Sequence, residues 1–201
     1  YPIDNITSKA ATIKLPKALR VPGSIMSFLQ AVLVHLQSQS QDQFGGVSLT
    51  HLDWSSVPFI RKSFWKYYFD AVKDFNYYTD GELEMPVPKK GCDKVSIEDP
   101  RYTQYEKIYK TALEKTIRET HQACEALLHN ANTLQSRSGN QLPFTSMNYG
   151  TCTLKEGQIL SEELLRAWEE GIGELGLTPI FPCGIFQLMD GVNTKKGEPN
   201  Y

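Results

Sequence analysis

The stretch from Ser96 to Arg137 constrains the fold of this chain more than any other. Ser96-Ile97-Glu98-Asp99-Pro100 has the form of a helix start: a serine, an acidic residue three positions on, then a proline suited to a first turn. No glycine or proline follows before Gly139, and Tyr105, Ile108, Ala112, Leu113, Ile117, Thr120, Cys124, Leu127, Ala131 and Leu134 keep one side apolar. A helix of about 35 residues would be roughly 50 Å long. Twice the gyration radius expected for about 200 residues is only about 33 Å. The pattern therefore predicts a strut that crosses a larger domain or packs against a second subunit.

A chain of 201 residues suits one large domain or two small ones. Its 21 Lys+Arg against 23 Asp+Glu give a net charge of -2, which argues against nucleic acid as a partner. No apolar run is long enough for a membrane span. The four cysteines, Cys92, Cys124, Cys152 and Cys183, are scattered without CxxC spacing, as expected for reduced thiols of a cytoplasmic protein. The start at Tyr1-Pro2-Ile3-Asp4 and the end at Gly197–Tyr201 read as cut ends.

Two further helices precede the strut. Pro22-Gly23-Ser24 reads as a turn with Ser24 as N-cap, and Ile25, Phe28, Leu29, Val32, Leu33 and Leu36 recur at helical spacing to about Ser40. Phe44-Gly45-Gly46 stops this helix. The second is expected from Ser55-Ser56, with Pro58 in its first turn, to about Phe75. It is crowded with Phe59, Phe64, Trp65, Tyr67, Tyr68 and Phe69, a core-helix composition. Residues 76–95 read as a loop.

The polar stretch Asn140–Gly150 reads as a turn followed by a strand. Alternation puts Thr145, Met147 and Tyr149 on one face and Phe144, Ser146 and Asn148 on the other. Ser146 and Asn148 either contact a ligand or bond neighbouring loops. A helix near Glu156–Leu175 follows, ending at Gly176, and then an apolar strand at Thr178–Met189 that suits a parallel position covered on both faces. Strand, helix and strand make a parallel βαβ unit. Two strands are too few for a sheet, so others lie outside this sequence or come from weak candidates such as Ala11–Leu15.

Isolated chemical signals are weak. His121 and Cys124 stand at i and i+3, a spacing that can hold a metal, but no second ligand pair accompanies them. Cys152, between a strand and a helix, is a candidate nucleophile, although no His and Asn/Asp partners are recognisable. His35 and His129 read as ordinary helix histidines, and Gly45-Gly46 is too short for a phosphate loop.

A spaced series of motifs carries a resemblance. His129-Asn130, Asn132-Thr133-Leu134, Ser136–Gln141, Pro143-Phe144 and Asn148-Tyr149-Gly150-Thr151 resemble the middle of anaerobic (class III) ribonucleotide reductases. So do Thr178–Pro182, Gly191-Val192-Asn193 and Lys196–Tyr201, with Pro22–Ile25 and Gln43–Gly46 in matching order upstream. The resemblance implies an α/β fold, a partial ten-stranded barrel of the glycyl-radical-enzyme type. It divides the chain into residues 24–137, a helical dimer and effector region, and 138–201, barrel strands. It implies reduction of ribonucleoside triphosphates by radical chemistry in a cytoplasmic homodimer controlled by dNTP and ATP effectors and activated by a radical-SAM enzyme. A glycyl radical and zinc belong to the full-length enzyme, with no cofactor in this part. None of the four cysteines matches a catalytic position of the family, so this part is expected to be inactive alone, with no catalytic residue. The expected substrate contacts are Ser146 and Asn148, and the expected effector contacts Gln39, Gln43, Lys107 and Lys110, with Lys115 a further cation. An alternative is a non-catalytic nucleotide-binding or dimerisation module.

Overall fold

A computed structural model describes residues 21–42, 45–79, 81, 83, 90–133 and 144–201. The first helix, α1 (Ile25–Asp42), starts where expected. Ser24 Oγ accepts from Ser27 N at 3.3 Å while Ser24 N donates to Ser27 Oγ at 3.1 Å, a reciprocal cap. All six residues of its predicted apolar stripe, from Ile25 to Leu36, are buried. The candidate strand at Ala11–Leu15 lies outside the described residues.

A strand absent from the sequence reading, β1 (Val47–Leu49), comes next. Three residues are too few for alternation to register, which is why Gly45-Gly46 read only as a loop. The helix α2 (Leu52–Thr79) then begins earlier and ends later than predicted. Pro58 consequently lies inside the helix and forgoes only the bond to the carbonyl of Trp54, whose side chain is exposed. The aromatics pack as a core should: Phe28 stacks on Phe59 at 4.2 Å, and Trp65 meets the edge of Tyr102 at 4.8 Å.

The long pattern is two helices. Asp99, not Ser96, caps the short α3 (Pro100–Thr103), its carboxylate accepting from Arg101 N at 3.0 Å. The chain breaks at Gln104–Tyr105 before α4 (Glu106–Thr133). There the Gln104 side chain bonds the Arg101 carbonyl at 2.8 Å, and the buried Tyr102 ring anchors the corner. Periodicity survives such a corner because no glycine or proline marks it. At 28 residues α4 is about 42 Å long. A uniform sphere has a diameter of about 2.6 gyration radii, or about 42 Å here, so twice the radius understates it. The helix crosses its own body without needing a second subunit. Ile108 also faces inward, packed among aromatics of α2. That removes it from any dimer surface, and a charge there would disrupt the core instead.

Three parallel strands complete the fold, in the order β1-β2-β3, with β2 (Thr145–Tyr149) central and β3 (Cys183–Phe186) at one side. Between β2 and β3 runs α5 (Lys155–Glu170), which ends at Gly171 in place of the predicted Gly176. Gly171 has φ +77°, and a Cβ there would lie 2.5 Å from the Gly176 backbone. Register puts Leu49, Met147 and Gly184 level on the face covered by helices, where a Cβ on Gly184 would meet Trp168 at 2.8 Å. Ser48, Ser146 and Cys183 are level on the other face, as are Asn148 and Ile185. The run Thr178–Met189 is thus a shorter strand than predicted and an exposed one, open on the face where a second layer was expected.

One buried carboxylate joins sheet and helices. Asp53, in the first turn of α2, is 0% exposed, and its Oδ2 accepts from the backbone N–H groups of Gly150, Thr151 and Cys152 at 3.0, 3.0 and 2.8 Å. Replacing it by Ala strands three donors in the interior, and charge-assisted bonds of this kind are worth about 1.5–3 kcal/mol each. In the full-length protein Asp53→Ala is expected to cost at least about 3 kcal/mol in urea denaturation, and Asp53→Asn clearly less. Equal, small losses for both variants would contradict this role.

Candidate functional site

The polar positions of β2 lie where alternation put them. Thr145, Met147 and Tyr149 are buried under the helices, while Ser146 and Asn148 are partly exposed on the opposite face. Ser48 Oγ donates to Asn148 Oδ1 across the strands at 3.3 Å, so Asn148 points away from the helical layer. Ser48, Cys183 and Ile185 complete this open face. At the starts of the strands it runs into a hollow of about 350 Å³ lined by Gly46, Ser48, Phe144, Ser146, Phe181 and Cys183.

The loop after β2 is engaged by the chain itself. Asp53 takes its N–H groups, and amides take its carbonyls: Asn193 donates to Gly150 O at 2.9 Å, and Asn200 donates to Gly150 O and Cys152 O at 3.0 and 2.9 Å. Glu198 in turn folds the terminal turn, accepting from the backbone of Gly191, Thr194 and Lys195. A row of backbone donors at a strand end ordinarily suits a phosphate. Here a carboxylate of the same chain already occupies it. Sequence reasoning missed Asp53, Asn193 and Asn200 as a set. The signal was present only in the motifs Gly191-Val192-Asn193 and Glu198-Pro199-Asn200. Beside this loop a hollow of about 270 Å³ opens between Gln158, Phe186, Asn200 and Tyr201.

Cys152 is 1% exposed, and burial pushes its thiol up to about 11. It is packed so tightly that a Cβ on Gly157 would lie 2.3 Å from its sulfur. At neutral pH it is an inert packing group. Cys124 is likewise buried and its thiol pushed upward, so it points away from the polar side of α4 that carries His121. The metal spacing of His121 and Cys124 is therefore not realised. Cys124, Cys152 and Cys183 carry free thiols, and among the described residues no cysteine joins a three-member group of metal-ligating side chains.

The expected effector residues are not brought together within one chain. Gln43 lies outside the described residues, and Gln39 is partly buried near the end of α1. Lys107 and Lys110 sit exposed near the start of α4, Lys110 paired with Glu106 at 2.6 Å, and Lys115 is also exposed. α1 packs on Ala123–Ala131, about 20 Å further along α4 than Lys110. Lysines do converge elsewhere, on α2. Lys62, Lys66 and Lys73 line a groove of about 380 Å³ with Phe69, Asp70 and Asp93.

Comparison with known proteins decides the family. The model of the anaerobic ribonucleoside-triphosphate reductase family matches residues 7–201. The chain belongs to this family. It is similar to the anaerobic ribonucleoside-triphosphate reductase of Enterobacteria phage T4, with 26% identity over 191 residues, covering 95% of this chain and 26% of the relative. The corresponding protein of Salmonella typhimurium is 26% identical over 189 residues, covering 94% and 22%. That of Escherichia coli K12 is 38% identical over 87 residues, covering 43% and 12%. The chain thus spans about a quarter of the length of the reductases it matches end to end. No helix of the described residues is long and apolar enough to cross a membrane.

The thiols give a direct check on these assignments. Alkylation under native conditions near pH 8 is expected to label the exposed Cys183 first, and Cys152 and Cys124 only on unfolding, with mass spectrometry as the readout. In the full-length reductase, Cys152→Ser should retain substantial turnover, since the buried sulfur packs beside Gly157 and meets only the backbone of Leu154 and Gly157 as polar partners. Rapid native labelling of Cys152 would contradict its burial.

Proposed function

We propose that this chain is part of the catalytic barrel of an anaerobic reductase that converts ribonucleoside triphosphates to deoxyribonucleotides. The observation that carries this reading is the helix-free face of a parallel sheet, lined by Ser48, Ser146 and Asn148 and backed by a tightly bonded loop. Hydroxyl and amide groups on such a face suit the hydroxyls of a ribose, and parallel sheets rarely leave a face uncovered. Ile185, exposed on this face of β3, and Leu188 beyond the strand offer apolar surface for further elements of a barrel. Ser146 and Asn148 orient substrate. The glycyl radical of the family supplies hydrogen-abstraction chemistry, and its zinc a structural centre. The scattered cysteines here fit neither the radical thiol nor a zinc cluster, and no step is assigned to them.

The effector reading changes in detail. A deoxynucleoside triphosphate or ATP needs several cations together, which Lys62, Lys66 and Lys73 offer in one groove, whereas Lys107 and Lys110 are only two and Lys110 is paired with Glu106. The homodimer and the radical-SAM activating enzyme belong to this proposal as partners of the full-length protein, in the cytoplasm.

In the full-length enzyme, Ser146→Ala and Asn148→Ala should each lower kcat/KM for ribonucleotide about 10- to 100-fold without changing the melting temperature by more than a few degrees, as expected for loss of one or two hydrogen bonds. The 201-residue chain alone should show no turnover. Wild-type kinetics in both variants would refute the substrate assignment. Separately, Lys66→Glu with Lys73→Glu should weaken effector binding at least about tenfold by calorimetry. Unchanged affinity would return the site to the α1 and α4 ends of two subunits.

A further inference from the structure

We propose that His121, Glu125 and Glu170 bind a divalent first-row metal ion, with Glu163 as the buried group that orients the imidazole. His121 and Glu125 stand one turn apart on α4, and Glu170 is the last residue of α5, where the two helices meet. One donor atom from each lies within 4.8 Å of the others. His121 Nε2 is 3.0 Å from Glu170 Oε2 and 3.9 Å from Glu125 Oε1. Donors at about 2.1 Å from a zinc or manganese ion stand about 3.0–3.4 Å apart, so a small rotation of the exposed Glu125 closes the set.

The surroundings of the two ring nitrogens of His121 carry the inference. Its Nδ1 is shielded from water and makes no well-aligned hydrogen bond, yet it lies 3.1 Å from Oε2 of Glu163. Glu163 is 4% exposed, and its other oxygen is 3.2 Å from Arg166. Nε2, by contrast, is in hydrogen-bond geometry with Glu170 Oε2 at 3.0 Å. A metal ion would take the place of the proton shared by Nε2 and Glu170 Oε2 and draw in the Glu125 oxygen, leaving Nδ1–H to the Glu163 carboxylate. Carboxylate, imidazole and metal in this order is the usual way a ligating histidine is held. One nitrogen with carboxylate oxygens suits Zn²⁺, Mn²⁺ or Fe²⁺, and the surface position leaves room for water ligands. Cys124, the sequence partner of His121, takes no part because it faces the core.

The test uses the full-length protein, freed of metal with a chelator and titrated with cobalt(II) and manganese(II). Metal content is read by mass spectrometry and site geometry by the visible absorption of bound cobalt. Wild type is expected to hold one more equivalent than His121→Ala, Glu170→Gln to bind that equivalent at least tenfold more weakly, and Cys124→Ser to match wild type. Differences between variants separate this site from any other metal the protein holds. Equal stoichiometry and spectra in wild type and His121→Ala overturn the proposal. If His121→Ala does not fold, Glu170→Gln at the surface gives the same reading.

Discussion

The placement of the Asp53 carboxylate is the constraint from which the rest of the architecture follows. A carboxylate with no exposure survives only when its acceptors are satisfied, and here three consecutive loop donors meet Oδ2 while Trp54 N meets Oδ1. Those donors belong to the loop that leaves the central strand, so the first turn of α2 and the end of β2 cannot shift independently. Asn193 and Asn200 complete the arrangement from the opposite side by donating to the carbonyls of the same loop. The terminal turn, the strand end and the helix start are thereby one polar unit. What remains adjustable around the sheet is its open face.

This arrangement also redirects the chemistry of the strand end. In many α/β proteins the donors after a strand are left for a ligand's phosphate. Here the protein satisfies them with its own carboxylate, and the loop serves as a foundation for the neighbouring polar positions. Cys152 belongs to the same foundation. Its burial against Gly157 makes it part of the packing, and a buried thiol is a poor nucleophile.

Much of the local structure was legible in the residues. The stripe of α1 and its Ser24 cap, the alternation of Thr145–Tyr149 and the helix after it follow from spacing and side-chain chemistry alone. The corner at Gln104–Tyr105 did not, because it is made by a glutamine and a buried tyrosine that a helix also tolerates. β1 was hidden by its brevity, and the exposure of β3 by its composition, which is that of a covered strand. At the candidate site, Ser146 and Asn148 could be placed on one face from sequence. The Asp53 contacts could not, since they join residues 97 or more positions apart. The family was recognisable from spaced motifs, whereas the lysine groove on α2 depends on which helix faces are free once the core has formed.

That same separation has a consequence for how the molecule reaches its native state. β1 and β2 are neighbours in the sheet, yet α2, α3 and α4 lie between them in the chain. Closing a disordered loop of that length costs about 4 kcal/mol of entropy before a single strand bond forms. If α2 and α4 first pair along their shared aromatic core, the ends of the excursion are already near each other and most of that cost has been met by local contacts. The helical layer then acts as a template, and the sheet is the later event, formed when Asp53 captures the backbone of Gly150–Cys152.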